Sequence, residues 1–269
     1  MKKLVFAIIT LATFSATAQN NLRSSVSGNF ETNMQVLNED TLIGAFAPTE
    51  KAVMNTVMNI NATVGKFRAG VRFESYLPAI AGYPVFYNGT GIGYRFAEYA
   101  GDQLNIKVGN FYEQFGNGIA LRAYENGALG IDNSFDGVSV KFIPRKGVEL
   151  KGLMGRQRFK FKDGVIEKSK GIIRGLDCDI NLNTLIPRFS DSKLKVTIGG
   201  SFVSRYQSVN DTTPPNVNIY AGRIDMRYQR FTFGAEYGYK TNDPSLQNGF
   251  VYNPGHGALV NLGYTQKGL

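Results

Sequence analysis

The stretch Arg230-Phe231-Thr232-Phe233-Gly234-Ala235-Glu236-Tyr237-Gly238-Tyr239-Lys240 alternates at every position between two kinds of side chain. The odd-numbered positions are apolar or aromatic, and the even-numbered positions are polar, charged or glycine. Successive side chains of a strand point to opposite faces, so this stretch predicts a strand with one apolar and one polar face. Residues 220–228 alternate similarly, and their apolar face begins and ends on tyrosine. Aromatic girdles at the two interfaces of a membrane barrel place rings at such positions.

Ten further segments show alternation, and helical spacing is scarce after residue 20. They lie at residues 25–36, 54–64, 67–74, 92–96, 104–108, 138–142, 148–154, 172–180, 194–206 and 260–264. Charged residues break the pattern in three places. Glu98 and Arg174 fall on apolar faces, which predicts local slips of register or bulges. Arg156, Arg158 and Lys160 continue the parity of an apolar face, which predicts that this strand projects beyond the membrane.

The connections between these segments alternate in length. The long ones are residues 38–51, 78–90, 112–136, 162–170, 207–216 and 241–256, and most of the others are tight turns. Long outer loops and short inner turns are the layout of outer-membrane barrels, whereas a secreted β-sandwich has no reason to segregate loop length. The sequence therefore predicts an all-β protein, an antiparallel transmembrane β-barrel with twelve strands in this chain. A secreted sandwich or adhesin is the alternative.

The N-terminus has the three parts of a secretory signal peptide. Lys2 and Lys3 form the basic region, residues 4–12 the apolar region, and residues 16–18 the small-residue cleavage site. We expect residues 1–18 to be removed and residues 19–269 to form the barrel, exported through the periplasm to the cell outer membrane. No later segment approaches the ~18 consecutive apolar residues of a membrane-spanning helix.

The composition excludes several kinds of site. The formal net charge is +9, and the chain has one cysteine, Cys178, and one histidine, His256. An internal disulfide and a clustered histidine metal site are therefore excluded, and we expect no metal and no cofactor. His256 has no adjacent serine and acid, so we expect a solvated loop histidine and no enzyme activity. The basic residues lie opposite the aromatic face, which together with the export signal argues against nucleic acid as a partner.

The polar faces of the strands carry most of the basic surplus. If these faces line the lumen, the candidate pore-lining residues are Arg68, Arg72, Glu74, Arg95, Lys107, Arg223, Asp225, Arg227, Arg230 and Glu236. A basic lumen concentrates anions, because charges in a narrow channel act at close range. The alternative is that these groups pair with one another and fill the interior without a conducting route.

Residues 112–136 form the most unusual connection, since Phe115, Ile119 and Leu121 lie among glycines there. A loop of this composition needs a surface to pack against, and the barrel interior is available. Folded inward, it would form a constriction that carries Glu113, Arg122, Glu125, Asp132 and Asp136, with its carboxylates opposite the basic lumen. The alternative is a compact outer cap that holds the neighbouring loops.

A family resemblance rests on three runs within this connection, Tyr112–Gly116, Leu121–Glu125 and Leu129–Asn133. The sequence resembles an uncharacterised family of porin-like outer-membrane β-barrel proteins of Bacteroidota. The resemblance implies an outer-membrane β-barrel and brings no established substrate and no catalytic residues. Members of that family are longer, and this chain ends on residues 266–269 without a terminal aromatic residue. Two expectations stay open, a closed twelve-stranded barrel and part of a larger one.

Together these patterns predict an outer-membrane porin-like channel for the passive diffusion of small polar or anionic solutes. The alternative is a non-conducting barrel that acts as a binding or accessory component of a secretion or surface-glycan system. Outer-membrane lipid is a partner in both cases, and a homo-oligomer is compatible with either.

Overall fold

The protein is dominated by one antiparallel sheet in the computed structural model, which describes residues 24–44, 46, 49, 51–208 and 213–266. The predicted signal peptide lies outside the described residues. Among those described, no helix is both long enough and apolar enough to span a bilayer.

Twelve long strands follow one another across the sheet in chain order, each hydrogen-bonded to the next. They are β1 (Ser24–Val36), β2 (Ala52–Val64), β3 (Phe67–Tyr76), β4 (Gly89–Ala100), β5 (Leu104–Phe111), β10 (Phe135–Arg145), β11 (Val148–Lys162), β13 (Ile172–Asn181), β14 (Leu194–Tyr206), β15 (Asn216–Tyr228), β16 (Phe231–Lys240) and β17 (Gly255–Tyr264). Short strands lie between β5 and β10 and after β11: β6 (Gln114–Phe115), β7 (Leu121–Arg122), β8 (Glu125–Asn126), β9 (Ile131–Asp132) and β12 (Val165–Lys168). The helical segments are single turns at Leu182–Leu185, Gly127–Leu129, Pro187–Phe189 and Leu246–Asn248.

The predicted number and order of the strands are confirmed. The sheet is a continuous meander in which β1 and β17 are the edges, since no pairing joins them among the described residues. One rim of the sheet has mostly short turns, such as residues 65–66, 146–147 and 229–230, and we call it the short-turn rim. The long-loop rim carries the connections 37–51, 77–88, 112–134, 163–171, 207–215 and 241–254.

The two faces of the sheet differ as the alternation predicts. We call the face against which residues 112–134 pack the inner face, and the other the outer face. Large apolar side chains on the outer face are open, among them Phe67 (64% exposed), Leu176 (64%) and Leu262 (80%). Such an outward apolar surface is what lipid covers in a membrane barrel.

Two irregularities change the faces predicted for neighbouring residues. In β4 the register against β3 shifts, so that Arg72 pairs with Tyr94 while Phe73 pairs with Ile92. Beyond this bulge Tyr94, Phe96 and Glu98 belong to the inner face. The alternation over residues 92–96 predicts that Tyr94 and Phe96 face outward with Ile92, and that prediction was wrong. The bulge predicted near Glu98 is therefore present, and it absorbs one extra residue.

The second irregularity is in β11, whose pairing with β12 shifts after Arg158. The Arg158 side chain is 1% exposed and contacts inner-face carboxylates, so it does not continue the outward parity predicted for it. Arg156 and Arg174 do lie on the outer face, and the bulge predicted at Arg174 is absent, because the pairing of β13 with β11 and β14 keeps one register.

The long hairpin β11–β12 closes a gap in the wall. β5 pairs only with residues 96–100 of β4, which leaves the beginning of β4 without that neighbour. The hairpin tip takes this place, since Asn88 donates its N–H to the Phe161 carbonyl and accepts from Gly164, both at 3.1 Å. A methyl group on Gly91 would lie 1.9 Å from the Gly164 carbonyl oxygen, so glycine is what permits the close approach.

Candidate functional site

Residues 112–134, which we call the inward segment, lie across the inner face instead of extending past the rim. Phe115 is fully buried and belongs to a cluster with Phe111, Phe135, Leu153 and Val203, which come from the surrounding strands. Burial of this much apolar surface is what holds an otherwise irregular segment in place.

The hairpin β6–β7 carries the inward segment toward β15 and β16. The Asn117 N–H donates to Glu236 Oε2 at 2.6 Å, and the Glu236 side chain is almost completely buried. A methyl group on Gly116 would lie 2.8 Å from the Arg223 side chain, and one on Gly238 would lie 2.5 Å from Ile119. Glycines in the segment and in the wall therefore permit the contact.

The hairpin β8–β9 carries the opposite end of the segment to β3. Arg72 Nη1 donates to both Glu125 oxygens at 2.7 Å, and Arg72 also forms an ion pair with Asp132. The Tyr83 hydroxyl donates to the Gly127 carbonyl from the loop above β3. The inward segment thus contacts both the β3 side and the β16 side of the inner face.

The most buried charges form one network at the β3 end. Arg158 donates from Nη1 to Glu74 Oε1 at 2.9 Å and from Nη2 to Oε2 at 2.7 Å, and it lies 2.8 Å from Asp132. Arg72 Nε is 2.8 Å from Glu74. Buried charges need such mutual compensation, because each loses its hydration. Counting Glu125, the network has two guanidinium groups and three carboxylates, so it is not a source of positive potential.

A second cluster of buried charged side chains lies on the inner face of β13, β14 and β15. Arg223 is 2.8 Å from Asp177 and 2.6 Å from Asp179, and its Nη1 donates to Ser201 at 2.9 Å. Arg223 is therefore compensated on the inner face. Other inner-face lysines are paired too: Lys151 with Glu113 at 3.1 Å, Lys141 with Glu149 at 2.7 Å and Lys107 with Glu98 at 3.8 Å.

The remaining candidate pore-lining residues lie toward the short-turn rim. Arg68, Asp225 and Arg227 are exposed on the inner face, and Arg230 is exposed in the turn before β16. Asp225 and Arg227 line a small open cavity of about 310 Å³ together with Lys195. These groups, unlike Arg72 and Arg223, have side chains that solvent on the inner face can reach.

Two candidate residues, Arg95 and Asp136, lie on the outer face and not on the predicted inner one. Arg95 follows the β4 bulge and pairs with the outward Val71, while Asp136 has the parity of the outward Val138. Arg95 and Asp136 lie 3.3 Å apart there. Arg122 is exposed at the edge of the inward segment, with its guanidinium 4.8 Å from the centre of the Tyr124 ring. Of the constriction carboxylates, Glu113, Glu125 and Asp132 meet inner-face cations and Asp136 does not.

A cavity of about 560 Å³ lies between the inward segment and β1–β3. Asparagines form much of its lining, namely Asn29, Asn33, Asn55 and Asn59, and Glu31 lies among them. Tyr87 belongs to the loop side of the lining, and burial raises its pKa to about 12 although nearby Arg158 lowers it. The phenol is therefore neutral at physiological pH. The lining thus combines uncharged amides and phenols with Glu31 and with four members of the ion network, Arg72, Glu74, Glu125 and Asp132.

No group of three His, Cys, Asp or Glu residues with metal-binding geometry occurs in the described part of the chain. The lone histidine, His256, lies on β17, with Nδ1 2.5 Å from the Tyr237 hydroxyl on the outward parity of β16. The predicted loop position of His256 was therefore wrong, since residues 255–264 form a strand. In the described part of the chain, neither a serine nor a carboxylate is hydrogen-bonded to its ring. The placement of Arg158 was missed from the sequence, because a shift of one residue in register reverses the face and leaves no compositional signal.

The sequence was compared with models of protein families and with curated proteins. The model of a family of unknown function, DUF6029, matches residues 1–269. The chain belongs to DUF6029. Among the curated proteins, the search found no match for this DUF6029 chain.

This DUF6029 member is similar to solved structures of outer-membrane proteins. It is similar to the outer membrane protein OpdK from Pseudomonas aeruginosa, with a TM-score of 0.50 and 13% identity over 90% of this chain and 62% of that chain. It is also similar to OccK9 (OpdG) from Pseudomonas aeruginosa, with a TM-score of 0.48 and 11% identity over 90% of this chain and 64% of that one. The chain thus spans less than two thirds of either structure. The predicted fold class, the antiparallel β-barrel of outer-membrane proteins, is confirmed.

Proposed function

We propose that this protein is a porin-like channel of the cell outer membrane, through which small polar solutes diffuse passively. The observation that carries the proposal is the cavity of about 560 Å³ between the inward segment and β1–β3, which supports a passage on this side of the interior. Channel selectivity follows from the diameter of the passage and from the hydrogen-bonding groups that line it.

The lining favours uncharged solutes over anions. Amide side chains such as Asn29 and Asn59 both donate and accept hydrogen bonds, which suits hydroxyl groups and amides. The cations beside the cavity, Arg72 and Arg158, already face three carboxylates, and Glu31 adds negative charge. An anion entering here would find its cations already occupied, so within the predicted class of small polar or anionic solutes we propose uncharged ones.

Liposome swelling tests this proposal. Vesicles that contain the refolded protein should swell faster in an uncharged pentose than in an organic anion of similar size. Asn59→Phe should slow the swelling by narrowing the cavity, and Ile60→Phe, on the outward side of the same strand, should not. Swelling no faster than in protein-free vesicles would contradict the proposed channel function. Faster entry of the anion than of the pentose would contradict the proposed selectivity.

A second function is supported by the filled part of the interior. The inward segment contacts β3 at one end and β16 at the other, and buried ion pairs join it to the wall. A barrel filled in this way fits a non-conducting component of a secretion or surface-glycan system, in which the outer loops bind the partner. Single-channel recordings in a planar bilayer separate the two functions, because only the channel produces discrete conductance steps.

A further inference from the structure

A basic patch lies on the outer face near the long-loop rim. It consists of Arg95 on β4, Arg156 on β11, Lys168 on β12 and Arg174 on β13, and we call it the outer basic patch. Among the described residues, the carboxylate that pairs with these cations is Asp136, which lies 3.3 Å from Arg95 Nη2 and 2.5 Å from Lys168 Nζ. The patch therefore holds four cations around one anion.

Arg156 and Arg174 are the uncompensated members. Both side chains are exposed, and neither lies within 4.0 Å of a carboxylate in the described residues. Arg156 is directly opposite Asp136 on β10, and Arg174 is opposite Met154 on β11, which makes the two arginines diagonal neighbours. Their guanidinium groups can thus approach one ligand from adjacent strands.

The aromatic side chains around the patch fix its level in the sheet. Arg174 pairs with Ser204 on β14, between the rows of Phe202 and Tyr206. Phe202 packs on Tyr220 with 5.2 Å between ring centres, so outward rings continue along this level to β15. Such aromatic girdles mark the headgroup region of a membrane barrel.

The surface on the membrane side of the patch is apolar. Met154 is 49% exposed and Leu176 is 64% exposed, and they directly precede Arg156 and follow Arg174 along the same outward face. These apolar neighbours indicate that the two arginines lie at the edge of the lipid-covered surface and do not simply extend into bulk water. Cations at the edge of an apolar surface are stabilised by lipid phosphates, and guanidinium groups bind phosphate oxygens in pairs.

We infer that the outer basic patch binds the phosphate groups of the phosphorylated glycolipid of the outer leaflet, lipid A. Long loops of outer-membrane barrels face the exterior, so the patch lies at the level of that leaflet's headgroups. The inference rests on the outer-membrane location in the proposed function, and it is independent of whether the interior conducts.

Titration of the refolded protein in detergent with bisphosphorylated lipid A, followed by native mass spectrometry, tests the inference. The double variant R156Q/R174Q should bind at least about tenfold more weakly, because it loses the charge-assisted hydrogen bonds of both guanidinium groups to phosphate. The matched control R145Q/R188Q, with both arginines exposed near the short-turn rim, should bind as the unchanged protein does. R156K/R174K should retain part of the affinity, since it keeps the charges.

Two results would overturn the inference: equal affinity of R156Q/R174Q and R145Q/R188Q, or equal affinity of the unchanged protein for lipid A and for dephosphorylated lipid A. The second comparison decides even where the glutamine variant fails to refold. Heat-modifiable gel mobility reports barrel formation separately, so loss of the membrane fold itself is distinguishable from loss of the lipid site.

Discussion

Phe115 is the side chain on which the position of the inward segment most depends, and Phe115→Ala is the sharpest test of that role. The ring is fully buried against wall residues from β5, β10, β11 and β14. It also contacts the backbone of β13, where a methyl group on Gly175 would lie 2.7 Å from the ring. Removing the ring leaves a cavity between segment and wall.

The free energy lost in Phe115→Ala can be estimated from the burial of the ring. Truncation of a fully buried phenylalanine costs about 3–5 kcal/mol. The wall strands keep their own hydrogen-bond ladders, so most of this loss should appear as local opening of the segment instead of global unfolding. At about 1.4 kcal/mol per factor of ten, the open population should rise roughly 10²- to 10⁴-fold.

Limited trypsin digestion measures this opening. Arg122 lies in β7 within the segment and its side chain is exposed, so cleavage after it requires only that the local backbone detach. When opening and closing are fast, the cleavage rate follows the open population. We expect faster cleavage after Arg122 in Phe115→Ala, with unchanged heat-modifiable mobility, and larger or noisier conductance steps if the interior conducts.

Phe159→Ala is the matched control, since Phe159 lies on β11 and its side chain is 60% exposed. It should leave the cleavage after Arg122 unchanged. The reasoning is refuted if Phe115→Ala is cleaved no faster than the unchanged protein, or if Phe159→Ala accelerates cleavage equally.

Three further predictions concern the ion network, the hairpin contact and a loop carboxylate. Arg158→Met removes one partner of buried ion pairs and should lower the free energy of unfolding by about 3–5 kcal/mol, read from the urea midpoint by far-ultraviolet circular dichroism. Gly91→Ala would place a methyl group against the Gly164 carbonyl, so amide exchange in β12 should accelerate as the hairpin lifts from β4. Burial raises the pKa of Asp243, but Lys240 and Arg205 outweigh burial and hold that pKa below its ordinary value. The stabilisation from Asp243 should therefore be complete above pH ~4 and be lost as the pH falls through the lowered pKa, which proteolysis of residues 241–254 by an acid-active protease would detect.

Each of these has its own control. Arg188→Met, at an exposed turn, should leave the urea midpoint unchanged. Gly127→Ala meets nothing within 4 Å and should leave exchange in β12 unchanged. Asp243→Asn should abolish the pH dependence of loop protection, and persistence of that dependence would assign it to another group.

The strands were predictable because their signal is distributed over many residues. In residues 230–240 every position repeats the same alternation, so no single exception changes the strand assignment, and the observed β16 covers Phe231–Lys240. The segregation of loop lengths likewise depends on whole connections. Such patterns survive local irregularity, because lipid or solvent on one face and packing on the other act on all residues of a strand.

The identities of the inner-face charges were less predictable, because each depends on local register. One extra residue at the β4 bulge moved Arg95 to the outer face and Tyr94 to the inner face. Partners were also hidden, since Arg223 meets Asp177 and Asp179 two strands away in the sheet. A count of charges on a predicted face therefore overstates the positive potential of the interior, because it omits which carboxylates lie beside which cations.

Arg158 connects three features that otherwise look separate. The inward course of residues 112–134 takes away the part of the wall that β5 and β10 would have formed beside β4. The hairpin β11–β12 replaces that part, and its stem carries Arg158 inward to Glu74 on β3 and to Asp132 on the inward segment. One guanidinium group thus joins the wall, the replacement strand pair and the segment. Because the segment supplies Asp132 and Glu125, its departure would leave Arg72 and Arg158 with Glu74 as the remaining carboxylate of this network. The uncompensated positive charge makes an inward position of the segment the stable one.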